Sequence, residues 1–130
     1  LQDSDDLEQA LRVLARRYVT AVMQPQVVQL RRLIIAEAGR FPELARTYYE
    51  RAPQRTIAAL AAALQQLAAH GRLCLDDPLL AANHFAFLIV MIPLDKAMFF
   101  GGDYFTAADL AHFADAGVRV FLAAYGQHER

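Results

Sequence analysis

Prolines and glycines divide this chain into segments, and that division constrains the fold more than any other feature. Each segment between them carries apolar residues three and four positions apart, which is the spacing of an amphipathic helix. Prolines precede four of the segments and glycines follow two, the arrangement that suits helix starts and helix ends. The prolines are Pro25, Pro42, Pro53 and Pro78, and the glycines are Gly39 and Gly71.

Side chains that cap helices mark three further starts. Asp5 with Glu8 has the spacing of a capping box and predicts a first helix running to about Met23. Asp77 has the character of an N-cap ahead of a fifth helix, and Thr106 with Asp109 repeats the capping-box spacing ahead of a last one. The pattern predicts six helices joined by short connections.

The fifth helix is predicted to end, or at least to kink, at Pro93. Proline lacks an amide proton and its ring clashes with the preceding turn. The mostly apolar run 79–92 is 14 residues long, too short to cross a bilayer, and residues 94–100 are expected to form only a short helical turn.

Composition supports one all-α domain. Ala and Leu make up a third of the 130 residues, whereas Gly numbers 6 and Pro 5, a mixture that favours helix over strand. With 13 basic and 14 acidic residues the chain lacks the positive excess of a free-standing DNA-binding domain. Its one cysteine, Cys74, permits no internal disulfide, and no basic-then-apolar leader opens the chain, so we expect a cytoplasmic protein.

The fifth helix is apolar nearly all round, so it needs cover on more than one side. Its own chain could enclose it. The last helix, however, carries small residues that let another helix approach, and together the two favour a homodimer through a two-fold four-helix interface. The predicted interface residues are Phe87, Val90, Phe113, Ala116, Gly117, Val120, Ala123 and Ala124.

Catalytic chemistry is poorly supplied. No His and Asp accompany Cys74 in a pattern typical of a catalytic cysteine, so a structural role is favoured over a nucleophilic one. Asp109, His112 and Asp115 lie three apart on one helix face, but no second pair accompanies them and a solvated face is favoured over a metal site. We therefore predict no enzyme, no metal and no cofactor.

Hydrophobic residues make up 56% of the chain, and a cavity for a small molecule is a second way to account for so high a fraction. His84 is expected to be buried and to need a hydrogen-bond partner, either as a core histidine or as a ligand contact. Arg31 is either a surface or ion-paired residue or the counter-charge of an acidic ligand. The candidate pocket residues, which would equally make an ordinary core, are Tyr18, Leu30, Arg31, Ile34, Tyr48, Leu60, Leu64, His84, Phe85, Leu88 and Met91.

The order of the helices and one local run resemble a known family. Residues 32–46 followed by Tyr48 and Tyr49, with Arg40 to Leu44 as the most specific part, are similar to the C-terminal regulatory domain of TetR-family repressors of the AefR-like subgroup. The turn at residues 71–73 and the helix that starts at Asp77 fit the same pattern. The resemblance extends from about Leu7 to Tyr125.

This resemblance implies a six-helix regulatory domain whose last two long helices dimerise. The preceding helices would enclose a largely apolar pocket for a small effector, and the first helix would link this domain to an N-terminal helix-turn-helix domain that is not in the chain. Ligand binding would shift the population between two states and release DNA. A self-associating helical scaffold without a ligand is the alternative, and a small helical enzyme or metal protein is a third reading.

Overall fold

The chain folds into an all-α bundle. Its structure, a computed structural model, describes residues 2–70, 72–102 and 104–127, and Gly71 and Asp103 lie outside that description. Within these ranges there is no strand, only one isolated antiparallel bridge between Leu73 and Gly126. The predicted fold class is confirmed. The helices are α1 (Gln2–Val22), α2 (Pro25–Glu37), α3 (Pro42–Arg51), α4 (Pro53–His70), α5 (Pro78–Phe100) and α6 (Ala107–Tyr125).

Two of the predicted caps form as expected. The Asp77 side chain accepts a hydrogen bond from the Leu80 amide at 3.1 Å, at the start of α5. At the start of α6, Thr106 Oγ1 accepts from the Asp109 amide at 3.1 Å and Asp109 Oδ2 accepts from the Thr106 amide at 2.9 Å. These bonds satisfy amides that a helix start leaves without partners.

The predicted start of α1 at Asp5 is wrong. The helix already begins at Gln2, so Asp5 lies inside it. The Glu8 carboxylate instead contacts the Arg12 guanidinium at 2.8 Å, one helical turn further on. Acidic and basic residues four apart stabilise a helix through such a contact, and the same Glu that reads as part of a capping box serves as half of an ion pair.

The predicted end of the fifth helix at Pro93 is also wrong, since α5 continues to Phe100 with Pro93 inside it. The missing hydrogen bond and the ring clash cost about 3 kcal/mol. Pro93, Leu94 and Ala97 are all buried, and their burial offsets that cost. The longer helix has the length and composition of a membrane span, but here it is the central helix of the bundle.

The hydrophobic core surrounds α5. This helix packs against α6 and α4 most extensively and also contacts α1 and α2, which explains the apolar residues on its covered sides. Phe87 and Ile92 on its remaining side are 55% and 57% exposed. Phe85 of α5 meets Phe121 of α6 edge to face, with 5.1 Å between the ring centroids. Both rings are fully buried, as are Leu11 and Val19 of α1 and Leu64 of α4.

A glycine sets the distance between α5 and α6. A Cβ atom at Gly117 would lie 2.9 Å from the Leu88 carbonyl oxygen and 2.9 Å from Ile89 Cγ1. Ordinary carbon contacts are longer than this, so the two helices approach as closely as they do because position 117 has no side chain.

Candidate functional site

An apolar cavity lies between α5 and the first four helices. We call it the inner chamber; its volume is about 130 Å³. Tyr18 and Val22 of α1 and Asn83 of α5 are among its walls. The remaining lining residues are Val27, Arg31, Tyr48, Tyr49, Ala52, Pro53, Thr56, Ile57, Phe87, Val90, Met91 and Leu94.

A second space, which we call the outer cleft, lies between α2, α3 and the start of α4 and has a volume of about 410 Å³. It opens to solvent, and its walls include Ile34 of α2, Ala38 at the C-cap of α2, and Arg46 of α3. The inner chamber and the outer cleft share four lining residues, which we call the neck: Arg31, Tyr48, Tyr49 and Pro53.

One face of α2 lines both spaces. Val27 lines the chamber, Arg31 the neck, and Ile34, Ile35 and the C-cap residue Ala38 the cleft. Arg31 lies four residues after Val27, Ile34 and Ile35 lie three and four after Arg31, and Ala38 lies four after Ile34, which places them on one side of a helix. Prolines begin the helices on either side of this region, so α3 and α4 start where the chain must turn around the cleft.

The polar groups of the chamber are held at defined places. Thr56 Oγ1 donates to the Ala52 carbonyl at 3.0 Å, and Asn83 Nδ2 donates to the Leu79 carbonyl at 3.0 Å. Burial raises the pKa of the Tyr18 phenol, although the nearby Arg31 charge acts in the opposite direction. A tyrosine is ordinarily protonated at neutral pH and an upward shift keeps it so, which leaves the Tyr18 hydroxyl able to donate a hydrogen bond.

A separate apolar surface, which we call the α5–α6 face, lies on the outside of these two helices. It surrounds a shallow depression of about 440 Å³ lined by His84, Phe87, Leu88, Met91, Val120, Ala124 and Tyr125. His84 is exposed, which corrects the prediction that it is buried, because this side of α5 is not covered by the chain's own helices. Its predicted hydrogen-bond partner exists: His84 Nδ1 lies 2.5 Å from the Tyr125 hydroxyl.

The residues predicted for the pocket divide among four places. Tyr18, Arg31, Ile34, Tyr48 and Met91 line the chamber or the cleft. Leu60, Leu64 and Phe85 lie in the buried core, where they pack against other helices, and Leu30 is 47% exposed on α2. His84 and Leu88 lie on the α5–α6 face instead.

The residues predicted for the dimer interface also separate. Phe87, Val120 and Ala124 line the α5–α6 face, and Ala123 is exposed next to it. Ala116 and Phe113 are half-buried, and the Phe113 ring meets Phe105 edge to face at 5.4 Å. Val90 and Gly117 are buried against the chain's own helices and so offer no surface to a second copy.

Several cavity residues were not predicted. Ile35 and Ala38 continue the three-and-four spacing of Arg31 and Ile34 along α2, so that periodicity was the signal that could have found them. Thr56, Ile57 and Asn83 depend on how α4 packs against α5, which no local pattern in the sequence expresses.

The acidic residues considered for a metal have other partners. Asp109 caps α6, and Asp115 binds Arg16 of α1. The described ranges hold no group of three or more His, Cys, Asp or Glu side chains that could bind a metal ion.

Comparisons with known proteins identify the family. Residues 9–127 match the family described as AefR-like transcriptional repressor, C-terminal domain. A crystal structure from Mesorhizobium loti described as a TetR-family transcriptional regulator is 42% identical, with a TM-score of 0.87, over 92% of this chain. The flavonoid-responsive regulator FrrA is 36% identical, with a TM-score of 0.79, over 97% of this chain. A comparison with curated proteins gave no match.

The chain corresponds to part of these relatives. It covers 59% of the Mesorhizobium loti chain and 64% of FrrA. The matched family covers more than nine tenths of the sequence, and both solved structures agree with it in fold and in description. This chain therefore belongs to the TetR family of transcriptional regulators, as a C-terminal domain of the AefR-like group.

Proposed function

We propose that this chain is the regulatory domain of a TetR-family repressor, which binds a small effector in the inner chamber and dimerises through the α5–α6 face. One observation carries the proposal. Phe87 and Met91 of α5 line both the inner chamber and the α5–α6 face. These two side chains are thus shared between the ligand cavity and the outer surface. A ligand that moves them in the chamber would therefore change the shape of the α5–α6 face. We propose no catalytic role.

The chamber and the cleft suit a mainly apolar effector. Ligand pockets commonly have volumes of about 300–1,000 Å³ with few polar groups, and the outer cleft of about 410 Å³ lies in that range. The chamber adds a deeper, narrower space lined by aliphatic and aromatic side chains. That a 36% identical relative is described as flavonoid-responsive supports an effector with an aromatic ring.

The α5–α6 face suits a second copy of the chain. Phe87 and Val120 are 55% and 54% exposed there, and His84, Leu88 and Ala124 are exposed beside them. Exposed apolar patches of this kind mark association sites. A two-fold axis through the face would bring α5 and α6 of both copies into one four-helix interface.

DNA binding belongs, in this proposal, to a helix-turn-helix domain that precedes α1 in the parent protein and acts in the cytoplasm. α1 contacts α2, α5 and α6, so it meets both the chamber wall and the helices of the proposed interface. An effector that favours one arrangement of these helices would shift the population of DNA-binding and released states.

An electrophoretic mobility assay with the protein encoded by the whole gene tests this function. We expect that protein to retard DNA from its own promoter region, and an organic extract of source cells to abolish the retarded band. The helix-turn-helix should be encoded within about 60 residues before Leu1. A protein that ignores the promoter DNA, or a complex that no extract affects, contradicts the proposal and favours a scaffold without a ligand.

A further inference from the structure

The neck joins the inner chamber to the outer cleft, and a cation stands in it. Arg31 lines both spaces and is half-buried. Around it lie the aromatic rings of Tyr48 and Tyr49 and the apolar walls of the chamber. A guanidinium in such surroundings loses part of its hydration and is stabilised by an anion that approaches it.

The protein supplies no such anion where the structure describes it. No Asp or Glu among the described residues lines the chamber or the cleft. The ion pairs in that part of the chain, such as Arg12 with Glu8 and Arg16 with Asp115, do not involve Arg31. Arg46 is the second cation of the cleft and also stands in no such pair, so the walls of the two spaces carry positive charge with no compensating carboxylate.

Arg31 of the neck and Tyr18 of the chamber wall can both donate hydrogen bonds. The Tyr18 hydroxyl is protonated at neutral pH, as a tyrosine ordinarily is, and Arg31 lies close enough to act on it electrostatically. A guanidinium has five N–H donors and no acceptor, and a phenol adds one more donor. A carboxylate, with two acceptor oxygens, complements this set, whereas an ammonium group would face an uncompensated positive charge.

We propose that the effector is an organic acid, whose carboxylate binds Arg31 at the neck and whose apolar body occupies the inner chamber. This inference rests on the proposed effector function. The chamber, at about 130 Å³, is close in size to the cavities of about 150 Å³ that admit a benzene ring. A single ring therefore fits inside, and larger substituents extend into the outer cleft.

Three small molecules that share a phenyl ring but differ in charge test the proposal. Phenylacetate is an anion, phenylacetamide is neutral and 2-phenylethylamine is a cation, and each carries the same single ring. We would titrate each into the ¹⁵N-labelled chain at pH 7 and low salt and measure Kd from chemical-shift changes. We expect phenylacetate to bind at least about tenfold more tightly than phenylacetamide, and 2-phenylethylamine to bind most weakly.

Two arginine variants locate the effect. Arg31→Gln should bring the Kd values of phenylacetate and phenylacetamide to within about twofold of each other, with the amide value unchanged, which also shows that the variant is folded. Arg46→Gln is the matched control, because Arg46 lines only the outer cleft, and it should keep the preference for the acid. A preference that survives Arg31→Gln overturns the assignment of the charge to Arg31.

The outcomes separate this inference from the proposed function. If the amide or the amine binds as tightly as the acid, the cavity is an effector site and the acidic effector is overturned. If none of the three probes shifts a resonance, the acidic single-ring effector is overturned as well. The effector-binding part of the proposed function fails in a different experiment, if the purified chain retains no small molecule of any charge from a cell extract.

Discussion

Arg16 of α1 holds Asp115 of α6 through two parallel contacts. Its Nε atom donates to Asp115 Oδ1 at 3.0 Å and its Nη2 atom to Oδ2 at 2.6 Å. The fork of the guanidinium matches the carboxylate in this geometry, which fixes orientation as well as distance. The pair thus joins the helix that we propose leads to the DNA-binding domain to a helix of the proposed dimer interface.

This pair predicts a pH-dependent contribution to stability. The Arg16 guanidinium holds the pKa of the folded Asp115 carboxyl below its ordinary value, which the unfolded chain retains. A group with a lowered folded pKa contributes stability above its unfolded pKa and loses it as the pH falls through the folded pKa. The difference in unfolding free energy between wild type and Asp115→Asn should be constant from about pH 7 to 5 and should shrink below about pH 4.

Urea unfolding at each pH measures that difference. Arg16 is exposed, so the effect is expected to be small and to weaken further at high salt. Asp95→Asn is the matched control, because Asp95 is an exposed carboxylate of α5 and its replacement leaves the contact between Arg16 and Asp115 in place. A difference for Asp115→Asn that grows toward low pH would contradict this account of the pair.

The close crossing of α5 and α6 predicts that Gly117→Ala destabilises the fold. Alanine gains about 1 kcal/mol in helix propensity over glycine. Its Cβ would lie 2.9 Å from a backbone oxygen of α5, and moving a helix to relieve such a contact costs typically about 1–3 kcal/mol. We expect a net loss of about 1 kcal/mol in the free energy of unfolding, measured with urea.

Gly39→Ala is the control for that measurement. Nothing lies within 4 Å of a Cβ placed at position 39, so this variant should be neutral or slightly more stable. Equal stabilisation of both glycine variants would show that the crossing is not limited by the missing side chain.

The proposed interface predicts that Val120→Glu produces a monomer. Val120 lies on the α5–α6 face and is 54% exposed, so the protomer can accept a charged residue there. A second copy would bury that charge without a partner, at a cost of about 3 kcal/mol, or on the order of 100-fold in the dimer Kd. The molecular mass measured by sedimentation equilibrium should fall from that of two chains to that of one, which is 14.5 kDa. Leu33→Glu, on the exposed side of α2, should remain a dimer; if it dissociates instead, the interface lies elsewhere.

The double role of Met91 predicts a variant that affects two properties. Met91→Ala should weaken effector binding and dimerisation together, each by about 1–2 kcal/mol, because its side chain lines the chamber and the α5–α6 face. Val27→Ala should weaken only effector binding, since Val27 lines the chamber alone. Titration calorimetry and sedimentation separate the two effects, and a Met91 variant with an unchanged dimer Kd would mean that the two sites are independent.

The starts of α5 and α6 were predictable because capping is a local property. Asp77 and Thr106 need only residues three positions away to form their bonds, and both do so. The continuation of α5 beyond Pro93 could not be predicted in the same way. It is stabilised by the burial of Leu94 and Ala97, which comes from packing with other helices.

The residues of the candidate site were predictable only where the spacing of apolar residues distinguishes one face of a helix from the others. Along α2 the spacing of Arg31 and Ile34 points to the cavity. Along α5 nearly every position is apolar, so no pattern distinguished the core residue Phe85 from the exposed Leu88. Core and cavity walls also share the same composition, which is why Leu60 and Leu64 were assigned to a pocket that they do not line.

Native mass spectrometry of the purified chain, after incubation with an organic extract of source cells, tests the central claim most directly. The account predicts a dimer that retains one small molecule per chain, and loss of that molecule when Val27→Phe fills the inner chamber while the dimer persists. A monomer, or a dimer that never retains a small molecule, would contradict it.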